Sequence, residues 1–232
     1  MEIAIPLFDR FTALDAVGPY QVLSHLPGAR VRFLGSEAGV VKSDDGMLGL
    51  SAEGRWEDAR SPAVVVVPGG IGSRAMLADA RLLGWLRGVH KTSDWTTSVC
   101  TGSLILAAAG ILDDMEATTH WAAVERLESL GARPVRRRVV ERGKVLTAAG
   151  VSSGIDMALR LAELVAGTDV AQAIQLRIEY DPEPPLDAGS PDKAPSAVVE
   201  AVRRGQRAQE RAVSEPARRG TPARVEADGD LR

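Results

Sequence analysis

The chain has 232 residues, of which 45% are hydrophobic and 25% are charged, as in ordinary globular proteins with a sizeable core. Its net charge of −3 gives no electrostatic case for binding nucleic acid or an anionic membrane. The single cysteine excludes an internal disulfide, and the N-terminus lacks the basic segment and apolar run of a signal peptide, so we expect a cytoplasmic protein.

The first part of the chain alternates short β-branched segments with helical patterns, which predicts a parallel sheet covered by helices on both faces. A hairpin is expected to turn at Asp45-Gly46, because glycine readily adopts the positive φ that such a turn needs. In chain order, the patterns predict a strand over residues 2–8, a helix over 12–26 with a kink at Pro19, a strand over 30–35 and the hairpin over 40–54.

The middle of the chain contains an uncharged stretch, residues 95–112, whose length approaches that of a membrane span. It begins with polar residues and contains two glycines, so we interpret it as a buried strand followed by a buried helix and expect no membrane association. The patterns here predict a central strand over 63–70 that ends in a glycine loop, a helix over 73–90, a strand over 95–99 and a helix over 102–110.

The remainder of the repeating pattern contains a basic run, residues 136–138. In a mildly acidic chain this run is typical of a solvated strand face rather than a phosphate site. Ser152 or Ser153 is expected to cap the helix that follows. The predicted elements are a helix over 120–132 ending near Gly131, two strands within 135–150 around Arg142-Gly143, and helices over 152–165 and 169–180.

The composition changes after Tyr180, where a proline-rich segment begins. We predict one compact α/β domain over residues 1–180. Residues 181–213 are expected to form an arm and a helix that pack on the domain or on a partner subunit. Residues 214–232 are charged and poor in large apolar groups, which predicts a disordered tail.

The only cysteine lies in the segment SVCTGS, residues 98–103, between a predicted strand and a predicted helix. Small residues two positions before and after Cys100, Ser98 and Gly102, are typical of a nucleophile elbow. The positive end of the following helix is expected to lower the thiol pKa, and the N–H of Thr101 is expected to bind a developing negative charge. The alternative is that Cys100 is simply a small buried hydrophobic residue.

The glycine loop over residues 68–75 contains Gly70, Gly72 and Ala75 in the G-x-G-x-x-A spacing of a dinucleotide site. Such a site belongs to the first strand–helix turn, whereas this loop follows about the fourth extended segment. Adjacent parallel strands would bring the loop beside Cys100. We therefore favour a loop whose backbone amides complete an oxyanion hole over a dinucleotide site.

Four motifs together resemble the ThiJ/PfpI superfamily over residues 1–180. The segment LDAVGP (14–19), with its aspartate, and residues 179–199 resemble members of that superfamily that hydrate isocyanides. The resemblance implies a flavodoxin-like, class-I glutamine-amidotransferase-like three-layer α/β sandwich, a homodimer, and no metal or organic cofactor. The four motifs are VPGG (67–70), SVCTGSLILAAAGIL (98–112), ATTHW (117–121) and GVSSGIDMALRLAE (150–163).

The resemblance also implies roles for individual residues. It makes Cys100 the nucleophile, Asp15 the acidic residue that approaches the thiol, and Thr101 the catalytic neighbour of the nucleophile. It assigns the oxyanion or substrate site to Gly70, Ile71, Val151 and His120.

The implied reaction is hydration of an isocyanide to an N-substituted formamide through a covalent thioimidate, with an isocyanide and water as the small-molecule partners and no nucleic acid or membrane. The three histidines lie far apart in sequence without the spacing of metal ligands, so we expect no metal. The alternatives are a stand-alone ligand- or oxidant-sensing domain related to AraC-type regulators, or an activity on small aldehydes or peptides. Residues 181–232 are too few for two helix-turn-helix units, which favours an enzyme.

Overall fold

The computed structural model describes residues 1–214, which form eleven strands and eight α-helices. The strands are β1 (Glu2–Pro6), β2 (Arg30–Gly35), β3 (Gly39–Lys42), β4 (Gly49–Ala52), β5 (Gly54–Arg55), β6 (Val64–Val67), β7 (Trp95–Val99), β8 (Glu116–Ala117), β9 (Arg133–Pro134), β10 (Val139–Arg142) and β11 (Val145–Ala148). The helices are α1 (Ala13–Leu23), α2 (Ser73–Met76), α3 (Ala80–Thr92), α4 (Gly102–Ala108), α5 (Val124–Ser129), α6 (Ser153–Ala166), α7 (Thr168–Arg177) and α8 (Ser196–Ser214).

Seven strands form the central sheet in the order β10-β11-β7-β6-β1-β2-β5, and every neighbouring pair is parallel except β10 and β11. Strand β2 lies on one side of β1, whereas β6 and β7 lie on the other side. The strand order therefore reverses beside β1. In open α/β sheets, ligands bind at the carboxyl ends of the strands next to such a reversal.

The helices form two groups. Helices α1, α6 and α7 pack in series, and α4 packs against α2, α3 and α5. Because right-handed crossovers that run in opposite directions along a sheet lie on opposite faces, these groups cover the two faces. The mostly parallel sheet between helical layers confirms the predicted α/β sandwich.

The core lies along β6 and β7, because both faces of these strands are covered. All four valines of β6 are fully buried, which explains why their continuous β-branched run forms a strand without polar alternation. Thr97 on β7 is also fully buried, and its hydroxyl donates to the carbonyl of Val65 at 3.1 Å. This bond satisfies a polar group that the sheet interior would otherwise leave unpaired.

Several predicted boundaries are confirmed. The hairpin of β3 and β4 is antiparallel and turns through Gly46 at a φ of +74°. The uncharged stretch forms β7 and α4, both largely buried in the domain. Among the residues that the structure describes, none of the helices combines the length and apolar character needed to cross a bilayer.

Two helix predictions are wrong. The predicted helix over 73–90 is broken, because the Asp79 side chain accepts the N–H groups of Arg81 and Leu82 at 3.0 and 2.9 Å and starts α3 anew. Neither Ser152 nor Ser153 caps α6 with its side chain. The Ser153 hydroxyl instead donates backwards to the carbonyl of Gly150 at 2.7 Å.

The arm over residues 181–195 contains no helix or strand and leads into α8. The Arg136 guanidinium lies 3.3 Å from the Asp192 carboxylate and ties the arm to the segment before β10. The predicted tail over 214–232 lies, apart from Ser214, outside the described residues.

Candidate active site

Cys100 follows the last residue of β7 and has a φ of +56°, in the left-handed region that residues other than glycine seldom adopt. Its N–H donates to the carbonyl of Ala149 at 2.8 Å. Its carbonyl accepts the hydroxyls of Thr119 at 3.0 Å and Ser103 at 3.1 Å. These bonds from three segments hold the unfavourable backbone in place and form the predicted elbow.

Two glycines allow the loops after β6 and β7 to approach each other. A Cβ atom on Gly102 would lie 2.2 Å from the carbonyl oxygen of Val67. A Cβ atom on Gly69 would lie 2.6 Å from the Thr101 nitrogen and 2.8 Å from an Asp15 carboxylate oxygen. Any larger residue at either position would displace backbone that surrounds Cys100.

Asp15, in the first turn of α1, is fully buried. Its Oδ2 accepts the N–H of Gly69 at 2.9 Å, whereas its Oδ1 has no hydrogen-bond partner among the described residues. Burial raises the pKa of this carboxyl from 3.8 to about 7, and the negative charge of Asp44 adds to the rise. The Gly69 N–H and the Cys100 thiol lower that pKa by a smaller amount. A carboxyl with this pKa exchanges its proton near neutral pH.

The prediction that the following helix lowers the pKa of the Cys100 thiol is wrong, because the net shift of that pKa is upward. Burial, followed by the charge of Asp15, raises the pKa of Cys100 well above its usual range. The N–H groups of Thr101 and Val151 and the Thr101 hydroxyl act in the opposite direction, because they stabilise the thiolate. Burial, and after it the charge of Asp15, therefore outweigh the hydrogen bonds that favour the thiolate.

The two buried acids act as a coupled pair. A charge on Asp15 disfavours a charge on Cys100, so above about pH 7, where Asp15 has lost its proton, the pair retains one proton, mainly on the thiol. If the proton lies on Asp15, the sulfur is a thiolate that faces the N–H groups of Thr101 and Val151. This arrangement can supply a nucleophile and a proton to the same small molecule.

The loop amides expected to form an oxyanion hole already have partners. The Gly70 N–H donates to the Thr101 hydroxyl oxygen at 2.9 Å, and that hydroxyl donates back to the Gly70 carbonyl at 3.2 Å. The Ile71 N–H donates to Oδ1 of Asp44 at 3.3 Å. The amides that face the sulfur are those of Thr101 and Val151. Both were among the groups expected to bind negative charge, Thr101 from its place after the nucleophile and Val151 from the family resemblance.

His120 lies in the same cavity as Cys100. Its Nδ1 accepts the N–H of Ala122 at 3.3 Å, and its ring packs on Trp121 with centroids 5.5 Å apart. Burial lowers the pKa of this imidazole. His120 is therefore neutral at pH 7 and lines the cavity as an uncharged group.

Cys100 opens onto a cavity of about 330 Å³. Sequence reasoning missed several polar residues that line this cavity. Their local sequences gave only weak signals, because Asp44 lies at a hairpin turn and Gln206 and Gln209 lie on α8. A larger open cavity of about 400 Å³ beside α7 lacks a nucleophile. Among the side chains that the structure describes, no group of three or more His, Cys, Asp or Glu is placed to hold a metal ion. The missed polar residues are Arg10, Thr12, Asp44, Ser73, Arg74, Gln206 and Gln209.

Known proteins resemble both the sequence and the structure. The chain is 44% identical over 204 residues to the isonitrile hydratase of Pseudomonas putida, covering 88% of this chain and 89% of the relative. It is 29% identical over 173 residues to the HTH-type transcriptional regulator CdhR of Pseudomonas aeruginosa, covering 73% of this chain but only 51% of the regulator. The domain thus also occurs inside longer regulators.

The crystal structure of a ThiJ/PfpI family protein from Pseudomonas syringae superposes with a TM-score of 0.84 at 33% identity, covering 92% of this chain and 90% of that protein. The model of the DJ-1/PfpI family matches residues 1–164, which include the elbow and Asp15. These matches confirm the resemblance read from the four sequence motifs. The chain belongs to the DJ-1/PfpI family.

Proposed function

We propose that this chain hydrates an isocyanide to an N-substituted formamide, with Cys100 as nucleophile and Asp15 as proton carrier. The observation that carries the proposal is a buried pair of acids: Cys100 lines the cavity, and the fully buried Asp15 interacts with its thiol from behind. The identity of 44% to an isonitrile hydratase over most of both chains supports the reaction class.

In the first half of the reaction, the Cys100 thiolate adds to the terminal carbon of R–N≡C and forms the C–S bond. The electron pair that develops on that carbon takes the proton of Asp15. The product is a thioimidate, in which Sγ is bonded to a CH=N–R group. The N–H groups of Thr101 and Val151 stabilise the thiolate before the addition.

In the second half, water adds to the thioimidate carbon while the Asp15 carboxylate accepts a proton from it. Asp15 then protonates the nitrogen, which gives a tetrahedral intermediate with OH, NH–R and sulfur on one carbon. Collapse forms the carbonyl, breaks the C–S bond and returns the hydroxyl proton to Asp15. The products are R–NH–CHO and the starting thiolate, so the net reaction consumes only isocyanide and water.

The direct test is an assay of the purified protein with one alkyl and one aryl isocyanide, with formamide formation followed by NMR. Formamide is expected from at least one of the two. Unchanged isocyanide in both reactions, with a correctly folded protein, would contradict the proposal.

The pH profile follows from the pKa of Asp15. Below about pH 7 the pair carries two protons, whereas the reactive arrangement of thiolate and carboxylic acid carries one. We therefore expect kcat/KM to rise through about pH 7 and then level off. Measurement from pH 5 to 9 tests this, and Asp15→Asn is expected to lose the rise. A profile that instead falls through pH 7 would mean that the doubly protonated pair is reactive.

We also propose that the protein is a homodimer and that the arm contributes to its interface. Four large apolar side chains on α7, the arm and α8 are between 44% and 82% exposed. On these three consecutive segments we propose that they form the surface that the partner covers. They are Leu176, Leu186, Val198 and Val202.

Truncation after Tyr180 is expected to lower the melting temperature or yield a monomer, because it removes the arm and α8 together. Light scattering after size exclusion and calorimetry measure the two quantities. A chain truncated after Ser214 keeps α8 and is the matched control. A protein that ends at Tyr180 yet remains dimeric and equally stable would refute this proposal.

A further inference from the structure

Helix α8 contributes Gln206 and Gln209 to the cavity that contains Cys100. These residues are three apart, so they lie on the same face of the helix. The helix lies beyond residues 1–164, the part of the chain that the family model matches. The cavity is therefore completed by a segment outside the shared catalytic domain.

The position of α8 over the cavity is supported by a cation–π contact. The guanidinium of Arg203 lies 5.4 Å from the ring centre of Trp121, the residue after His120. Arg203 precedes Gln206 by three residues and thus shares the face that points toward the domain. This contact holds Gln206 beside the cavity.

The carboxamide oxygen of Gln206, Oε1, is buried and has no hydrogen-bond partner among the described residues. Buried polar atoms in proteins nearly always have a partner, and leaving one unpaired is unfavourable. Because Gln206 lines the cavity, a bound molecule can supply the missing partner.

The chemistry of the substrate restricts where that partner lies. The –N≡C group has no hydrogen to donate, and its terminal carbon must reach Sγ of Cys100. A hydrogen-bonding group that reaches Gln206 therefore belongs to the R group. A hydroxyl fits best, because it can donate to Oε1 and can also accept from the carboxamide NH2.

We propose that Gln206 binds a hydroxyl group on the R portion of the isocyanide and so sets the substrate class to hydroxylated isocyanides. This inference rests on the proposed function. Gln206 acts here in substrate selection, whereas Cys100 and Asp15 carry out the chemistry.

The first experiment compares cyclohexyl isocyanide with trans-4-hydroxycyclohexyl isocyanide. The wild type is expected to favour the hydroxylated substrate in kcat/KM by about tenfold, the value of one hydrogen bond between neutral groups. Gln206→Leu is expected to lose this preference, mainly through a higher KM for the hydroxylated substrate, while Gln206→Glu keeps an acceptor and part of the preference. Equal preference in the wild type and Gln206→Leu would overturn the proposal.

Arg204→Ala is the matched control on the same helix. The Arg204 guanidinium is largely exposed and lies 3.8 Å from the Glu200 carboxylate, away from the residues that line the cavity. It is expected to keep the wild-type preference. Loss of the preference in this variant as well would assign the effect to α8 as a whole and overturn the role of Gln206.

A second readout does not depend on isocyanide turnover. Alkylation of Cys100 by N-ethylmaleimide is expected to accelerate severalfold in Gln206→Ala but not in Arg204→Ala. Of these two positions, Gln206 lines the cavity and Arg204 does not. Equal rates in all three proteins would overturn the placement of Gln206 over the thiol. If the wild type hydrates neither isocyanide, the proposed function fails, and the alkylation rates still decide whether Gln206 faces Cys100.

Discussion

Cys100→Ala is expected to lower the rate of formamide formation by about 10⁴-fold or more, while the protein folds normally. The substitution removes the sulfur that forms the covalent bond. It leaves the backbone bonds from Thr119 and Ser103 to the residue 100 carbonyl in place. Cys100→Ser is expected to be almost as inactive, because a buried hydroxyl is far harder to ionise than a thiol.

Turnover is measured by formamide formation, and folding by circular dichroism. Intact mass measured during turnover gives a second test, since the wild type but not Cys100→Ala is expected to gain the mass of the isocyanide. Wild-type turnover in Cys100→Ala would show that the sulfur is not the nucleophile.

Asp15→Asn is expected to lower kcat/KM by about 10²–10⁴-fold, the usual contribution of a general acid–base group. Asparagine preserves the acceptor for the Gly69 N–H but cannot release or take up a proton near neutral pH. Asp15→Glu retains part of the activity if the buried site accepts the extra methylene.

His120→Ala serves as the comparison for Asp15→Asn. This substitution is expected to lower kcat/KM by less than tenfold, because His120 is neutral. The loss is expected to come mainly from altered packing around Trp121. All variants are compared at matched folding by circular dichroism. If His120→Ala abolishes turnover while Asp15→Asn leaves it intact, the two roles are reversed.

The same Asp15→Asn change is expected to stabilise the fold at alkaline pH. The folded carboxyl has a pKa of about 7 against an ordinary 3.8, so its contribution to stability is fully present below pH 3.8 and is lost as the pH rises through 7. Asparagine avoids that loss, which is on the order of 4 kcal/mol. The melting temperature of Asp15→Asn is thus expected to exceed that of the wild type at pH 8 by roughly 10 °C. The difference should shrink toward pH 4, and a pH-independent difference would contradict the buried charge.

The strands next to the site were predictable because their signals are local. β2 and β7 begin and end where the sequence predicts, since each is an extended run bounded by residues that favour turns. The break between α2 and α3 was not predictable, because the apolar pattern continues through Asp79. Only the hydrogen bonds that the Asp79 side chain accepts start a new helix there. Hydrophobic spacing reports which face is buried but does not show such interruptions.

In the site, too, features encoded by neighbouring residues were predictable, whereas contacts between distant segments were not. The elbow at Cys100 follows from small residues within two positions, and the resemblance added Asp15 from a distant segment. The partners of the loop amides did not follow, because the Thr101 hydroxyl reaches Gly70 only after two strands have come together. Asp44 and Gln206 reach the cavity from a hairpin turn and from α8. Their local sequences indicate a turn and a polar helix face and give no sign of a cavity.

The placement of Gln206 on α8 also has an evolutionary consequence. The groups that we propose to make and break bonds lie within residues 1–164, and α8, which contributes Gln206 and Gln209 to the cavity, lies outside that range. Under the proposal made for Gln206, mutations in α8 change which molecules bind without altering Cys100 or Asp15. Selection on this helix then provides a route by which family members with the same nucleophile elbow diverge in substrate specificity. If so, identity within the shared domain does not by itself identify the substrate.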